Sequence, residues 1–266
     1  MPKGSREDAG IHYRKDGAVA RVTIDRPQVL NALNLAAHDA LADIWDEIRD
    51  DPEVRVAILA GAGSRAFCAG ADMKDAREAS GLEYLAGGPR LGAGGLSLRR
   101  DLMKPVIAAV NGLALGGGFE LALACDLIVA AEHAEFGFPE PRVGRMALDA
   151  GITLLARQIP LKVAMGLLLT GRRITARAAQ AAGFVNEVVP AADLAAAADL
   201  WAADVVACAP LAVEATKQIA IAAQDLPTWA APRWFPRRVL DAIASEDAQE
   251  GVQAFREKRN PHWRKR

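Results

Sequence analysis

Cysteine is scarce in this chain: Cys68, Cys125 and Cys208 are widely spaced and odd in number. That pattern excludes a disulfide framework and a paired-thiolate metal motif. Histidine is equally sparse, at positions 12, 38, 133 and 262. None of the four stands at the i, i+4 spacing of a zinc-binding helix, so no metal site is expected. Neither sign of charge dominates. With 32 basic and 33 acidic residues the formal net charge is -1, and no global field points to nucleic acid or an anionic membrane. Long apolar runs are missing too. Asp126 interrupts Leu121–Ala131 and Lys162 interrupts Ile159–Leu169, so nothing approaches the roughly 18 unbroken apolar residues of a membrane span. The first residues carry Glu7 and Asp8 and no apolar signal core, which makes a cytoplasmic location the expectation.

What is present is ample apolar material, 52% of 266 residues, enough for one substantial core or a core with an appendage. Ala18 to Ile24 alternates as a strand, and Arg26–Pro27 ends it because proline lacks the ladder donor. Asn34 is suited to cap a helix whose Leu41, Ile44, Trp45 and Ile48 share one face. Val54 to Leu59 reads as a second strand. Strand, helix, strand in this order predicts an α/β architecture. Gly81 to Gly95 is a glycine-rich loop of the kind that borders binding sites. Beyond about Pro190 the composition turns to alanine-rich helices, ending in one from Ser245 on which Ala248, Val252 and Phe255 share a face. The predicted division is an α/β core over residues 1–190 and a helical region over 191–266. The last residues are locally basic (Arg256, Lys258, Arg259, Arg264, Lys265, Arg266), either a solvated tail or a contact to a phosphate-bearing ligand.

The most informative stretch is Asn111 to Glu120. The apolar Val106–Val110 leads into Gly116–Gly117–Gly118, then Phe119–Glu120, then Leu121–Ala124. Glycines at a strand-to-helix junction let main-chain N–H groups approach a ligand with no Cβ in the way. The first amides of a helix lack internal partners and sit at the positive end of its dipole. Such a place can hold an oxyanion that develops during acyl chemistry. Glu120 adds a proton-transfer group beside it, and Glu140 follows in Phe136–Gly137–Phe138–Pro139–Glu140. A dinucleotide site is excluded, because the glycine triplet continues as Phe119–Glu120–Leu121 and no Gly-x-Gly-x-x-Gly fingerprint is formed.

An ordered series of segments, not one motif, resembles the crotonase superfamily, specifically the enoyl-CoA hydratase/isomerase family. It runs from Arg26–Pro27–Gln28–Val29–Leu30–Asn31–Ala32–Leu33–Asn34 through Val54–Arg55–Val56 to Arg65–Ala66–Phe67–Cys68–Ala69–Gly70–Ala71–Asp72–Met73–Lys74. It continues through Lys104–Val110, the glycine stretch, Leu121–Asp126, Phe136–Glu140, Leu169–Thr170–Gly171–Arg172 and Gly251–Arg259. The resemblance implies a crotonase-like spiral of repeated β-β-α units with a small C-terminal helical region. It implies an acyl-CoA thioester substrate, coenzyme A being part of the substrate, with no separate cofactor. It places an oxyanion hole at the amides of Ala71 and Gly117, and makes Glu120 and Glu140 the acid–base pair that works one water. Around CoA it sets Val29, Leu30, Ala69, Asp72, Met73 and Gly116, with Arg26 and Lys74 as phosphate contacts. Asp72 reads as a cap or brace for its loop. A homotrimer or dimer of trimers, joined through the helices after Pro190, is the implied assembly.

Reversible syn hydration of a 2-enoyl-CoA is the leading implied activity, since relatives that shift double bonds commonly keep one of the two glutamates. The alternatives are an isomerase, a specialised dehydratase of the carnitinyl-CoA kind, and a non-catalytic acyl-CoA-binding protein. One segment departs from the family. Many hydratases carry Pro-Gly-x-Gly-Gly after the second glutamate, and here the stretch is Ala147–Leu148–Asp149–Ala150–Gly151. Asp149 is expected to cap the following helix, or else to contact an unusual acyl group.

Overall fold

The computed structural model describes residues 6–72, 87–227, 229–230 and 233–266. Met73 and Lys74, and the loop from Gly81 as far as residue 86, lie outside the described residues. The chain opens with β1 (Ile11–Asp16) and β2 (Val19–Ile24), which pair antiparallel. Then comes α1 (Leu35–Asp50), where Asn34 accepts from Ala37 N as the cap. Next are β3 (Val56–Gly61), β4 (Ala66–Cys68), β5 (Val106–Val110) and β6 (Leu113–Leu115). Helix α2 (Gly117–Ala124) follows, then β7 (Leu127–Ala131), β8 (Glu135–Gly137), α3 (Gly151–Gln158) and α4 (Leu161–Thr170). β9 (Arg173–Thr175), α5 (Ala176–Ala182) and β10 (Glu187–Val189) close the sheets. The last helices are α6 (Leu194–Ala207), α7 (Pro210–Ala223), α8 (Arg237–Ala244) and α9 (Glu246–Glu257).

Six strands form one sheet in the order β1-β2-β3-β5-β7-β10, and four form a second in the order β4-β6-β8-β9. Within each, β3, β5 and β7 or β4, β6 and β8 run parallel. From β3 to β8 consecutive strands therefore alternate between sheets, each turn of the chain laying one strand on each: this is the expected α/β spiral. Asn111 makes the corner between β5 and β6, holding Gly63 O at 2.7 Å and accepting from Gly61 N at 3.2 Å.

Strand alternation divides the larger sheet between two cores. Ala57, Leu59, Val106, Ala108, Val110, Ile128 and Ala130 face the main core, which also takes Trp45, Phe67, Phe119 and Phe136. Val56, Ile58, Ile107, Ala109, Val129 and Ala131 face the other way, against Leu194, Ala197, Ala198 and Ala202 of α6. Helix α6 follows position 190 and covers the second face of the sheet. Among the described residues no single helix is long and apolar enough to cross a membrane.

The basic C-terminus is folded back on its own chain. Buried Asp247 accepts from the amides of Arg264 (2.7 Å) and Lys265 (2.9 Å), and Lys265 Nζ meets Glu214 at 2.7 Å. Arg259 pairs with Glu250 and Glu257, and Arg266 with Glu246. These pairings replace the solvated tail with a braced one. The apolar face of α9 points outward, with Phe255 85% and Val252 53% exposed.

Candidate active site

Apart from Glu120, helix α2 is apolar, and its Phe119, Leu121, Ala122 and Leu123 are buried. It sits so close to β4 that a Cβ built on Gly118 would lie 2.0 Å from Cys68 O. No side chain caps its start. Gly116 has φ +55, open mainly to glycine, and Gly116 N donates to Gly137 O at 3.0 Å. The turn thus joins β6 to β8, and among the described residues it leaves the Gly117 amide without a main-chain partner at the positive helix end.

Both glutamates close on this turn. A Cβ built on Gly116 would stand 2.8 Å from Glu140 Oε1, and one on Gly117 would stand 3.8 Å from Glu120 Oε2. Glu120 is in the first turn of α2 and is buried, 4% exposed. Glu140 opens a short 3-10 turn, and its Oε2 is buried without a hydrogen-bond partner among the described residues. A buried carboxylate oxygen of this kind needs a polar guest. Aromatic packing sets the spacing of the pair. Phe119 stacks on Phe138 at 4.7 Å between centroids and packs on Phe136 and Phe184 at 5.4 Å.

Burial pushes the Glu120 carboxyl up to about 8, helped by the negative charges of Asp149 and then Glu140 and opposed by the Gly151 amide. Burial also raises Glu140. A neutral Glu120 at pH 7 is a proton donor, while its Oε1 still accepts from Gly151 N at 2.8 Å. That bond puts Glu120 at the start of α3 and answers the question posed by Asp149. The residue that caps α3 is Ala150, at φ 76, with no side-chain cap bond. Asp149 does not cap as expected. It is buried at 6% exposure, and it acts on Glu120 through its charge and through its main-chain amide.

The second wall comes from the strip after β4. Gly70 packs against the glycine turn, a Cβ on it falling 3.1 Å from Gly117 N and 2.9 Å from Leu115 O. Ala71 follows at once. Ala69 N donates to Leu30 O at 3.0 Å, Leu33 N to Gly70 O at 2.8 Å and Asp72 N to Leu33 O at 2.9 Å. Among the described residues the main-chain hydrogen bonds leave the amides of Ala71 and Gly117 unused. The structure therefore brings together Glu120, Glu140, Gly116, Gly117, Ala69 and Ala71, with Val29 and Leu30 behind them. Arg26, expected as a phosphate contact, is engaged within the protein. Its guanidinium is bonded to Asp72 Oδ2 at 3.1 Å and to the carbonyl of Ala32.

Three contributors were not visible in the sequence. Ala93 borders Gly117, a Cβ on the glycine lying 3.9 Å from that of Ala93. Its loop is clamped to α1: Trp45 Nε1 donates to Gly94 O at 2.8 Å, and Gly94 N donates to His38 Nδ1 at 3.0 Å. Burial, then the charge of Arg26, lowers His38 to about 4, so the ring stays neutral and able to accept. The Gly151 amide is the third. The glycines at 92, 94 and 95 were the available signal, since each has positive φ. A separate cavity of about 430 Å³ lies at the far end of α2, lined by Leu123, Asp126 and Lys217 among others. Neither glutamate lines it.

Comparison with known proteins agrees with this geometry. The family model described as enoyl-CoA hydratase/isomerase matches residues 14–266. A carnitinyl-CoA dehydratase of Salmonella enteritidis is 41% identical over 262 residues, covering 96% of this chain and 98% of that one. The crystal structure of an enoyl-CoA hydratase from Bacillus anthracis superposes with a TM-score of 0.91 at 33% identity, covering 97% of this chain and 100% of the other. One from Mycobacterium tuberculosis gives 0.86 at 36%, again over 97% and 100%. A helix that opens on glycines beside buried Glu120 and half-buried Glu140, on a spiral of paired strands, thus has relatives along its whole length: this chain belongs to the enoyl-CoA hydratase/isomerase family and has the crotonase fold.

Proposed function

We propose that this protein catalyses the reversible syn addition of water to a 2-enoyl-CoA, giving a 3-hydroxyacyl-CoA. The observation that carries the reading is the glutamate pair, buried Glu120 and half-buried Glu140, closing on consecutive glycines at a helix start without a side-chain cap. The thioester oxygen accepts from the Ala71 and Gly117 amides. Water oxygen attacks C3, the C2–C3 π electrons move toward the thioester, and the negative charge collects on that oxygen as an enolate. One glutamate, as carboxylate, takes the proton that the water loses. The other, as neutral acid, delivers a proton to C2 as the enolate collapses, so one water is added and the pair exchanges roles. Preorganised amides are worth about 3–4 kcal/mol each in such a step, and the acid–base pair about 10²–10⁴-fold. Because the carboxyls interact, the pair titrates as a unit.

Dehydration of a substituted 3-hydroxyacyl-CoA, as in the carnitinyl-CoA dehydratases, is the second reading. It is favoured by the 41% identity to such a protein and by buried Asp149 beside Glu120, which adds negative charge to the pocket. Crotonyl-CoA, a 3-enoyl-CoA and carnitinyl-CoA offered in parallel, with product analysis, separate hydratase, isomerase and specialised dehydratase. Glu120→Gln and Glu140→Gln are each expected to lower hydration by at least 10²-fold. Activity near wild type in either variant would falsify the acid–base assignment. Binding of CoA esters without turnover would instead support a non-catalytic role. We read the exposed apolar residues of α8 and α9, among them Leu240, Ile243, Val252 and Phe255, as the face on which further copies of the chain assemble.

A further inference from the structure

We infer that Arg26 and Asp72 form a positioning pair that sets the Ala71 amide of the oxyanion hole; this rests on the reading of Ala71 given above. Arg26 is bound to the neighbouring loop at four points, one of them its carbonyl accepting from Val29 N at 3.0 Å. Its amide donates to Asn31 Oδ1 at 2.9 Å, its carbonyl accepts from Asn31 N at 2.9 Å, and its guanidinium holds the Ala32 carbonyl. Asn31 fixes the loop in turn, donating to Ala66 O at 2.7 Å and Ala62 O at 3.0 Å.

The loop takes an unusual path. Leu30 and Asn31 are consecutive non-glycine residues at φ 56 and φ 58, a conformation that L-residues hold only where surrounding contacts impose it. This turns the carbonyl of Leu30 to Ala69 N, and Leu33 pairs with Ala71 in a parallel bridge. A single bridge is a short ladder to carry a catalytic amide. The Arg26–Asp72 pair closes it one residue beyond Ala71, with N–O at 3.1 Å and both side chains largely buried, 14% and 13% exposed. Both ends of the strip carrying Ala71 are then fixed: Gly70 against the glycine turn, Asp72 against Arg26. An amide donor acts on a developing charge only if its direction is set beforehand, and the pair is what sets it here. The guanidinium is engaged by protein acceptors, so its part is to position the strip, not to bind CoA phosphate.

The test uses Arg26→Ala, Arg26→Lys, Asp72→Asn and the double variant Arg26→Ala/Asp72→Asn, each with crotonyl-CoA and with the pantetheine thioester, which lacks the nucleotide. The expected result is a kcat lower by roughly 10- to 100-fold, the scale of small misplacements, with KM changed less than about threefold for both substrates. Lysine restores part of the loss, and the double variant is no worse than Arg26→Ala. A second readout is the infrared carbonyl band of bound, unreactive hexanoyl-CoA. Wild type shifts it to lower frequency, and the variants lose part of that shift. Should Arg26→Ala fail to fold, Asp72→Asn carries the same comparison with a nearly isosteric change. A KM rise confined to the CoA thioester would make Arg26 a phosphate contact and overturn the inference. Unchanged kcat and carbonyl band in folded variants would make the pair a stability device only, and overturn it as well. A wild-type band without any shift would show that the oxyanion-hole reading itself has failed.

Discussion

Phe119 stacks on Phe138 with ring centroids 4.7 Å apart and planes tilted by 28°, one residue before Glu120 and two before Glu140. The two carboxylates belong to different parts of the chain, and this contact is where the main core fixes their separation. Aromatic stacking adds about 0.5–1.5 kcal/mol to the burial of each ring. Its greater consequence is geometric, because a rigid stack transmits the packing of the core to both proton-transfer groups.

Replacing Phe138 tests that coupling. Phe138→Ala should destabilise the fold by about 3–5 kcal/mol, read from urea unfolding. The milder Phe138→Leu should fold and lower kcat at least tenfold with little change in KM, since Glu140 moves while the CoA-facing strip does not. Wild-type kcat in folded Phe138→Leu would separate the stack from catalysis.

Gly118→Ala should be among the most damaging single-methyl changes in the chain. The new Cβ meets Cys68 O at 2.0 Å, and the obstacle is main chain with no rotamer to give way. Overpacking of this kind costs about 1–3 kcal/mol or more, and displacing α2 from β4 would also draw Gly117 away from Gly70. Thermal melting and steady-state kinetics should both fall. As a contrast, Gly17 has φ +57 with nothing within 4 Å of an added Cβ, so Gly17→Ala should cost only backbone strain and spare kcat.

A basic limb near pH 8 should appear in the rate of the proton-donating step, because Glu120 is raised to about 8. Glu120→Gln removes that limb along with the activity. Asp149→Asn takes away one of the charges that raise Glu120, so the limb should move to lower pH. A limb that stays in place in Asp149→Asn would mean that burial alone sets the acid.

The same shift has a consequence for stability, with a definite sign. The folded protein holds a proton on Glu120 over the window from about 4.5 to about 8, where the unfolded chain has released it. Stability therefore falls as pH rises through that window, by at most ~1.4 kcal/mol per pH unit. Melting curves of wild type and Glu120→Gln should diverge in favour of the variant from pH 5 to pH 8. Parallel curves would contradict the raised acid.

Asp247 offers a prediction away from the site. It is buried at 2% exposure and accepts from two tail amides. Asp247→Ala should lower stability by about 1–3 kcal/mol through the unpaired donors and release the last residues to carboxypeptidase, with kcat unchanged. A tail still protected in the variant would show that its other contacts, among them Trp263 donating to Ala207 O at 2.7 Å and Lys265 paired with Glu214, hold it without Asp247.

Local patterns carried much of the fold because they are local in origin. Asn34 caps α1, as its side chain and the helix behind it foretold, and the last helix starts at Ser245 as expected, with Ser245 as its cap. Val106–Val110 is a buried strand. Ala248, Val252 and Phe255 do share a stripe on α9, yet Val252 and Phe255 face outward, since periodicity tells which residues lie together and not what they lie against. Asp149 looked like a cap by position. It does not hold that role; Glu120, thirty-one residues before Gly151, already accepts the Gly151 amide.

By itself the sequence determined the α/β class, the glycine turn, the identity of the two glutamates and the family to which the chain belongs, since spacing and order along a chain are properties of the chain. Only the tertiary structure decided that Arg26 braces Asp72, that Asp149 and Gly151 tune Glu120, and that Ala93 walls the turn. Those relations join residues about 24 to 46 positions apart in the chain, and burial and electric field at a point depend on everything folded around it.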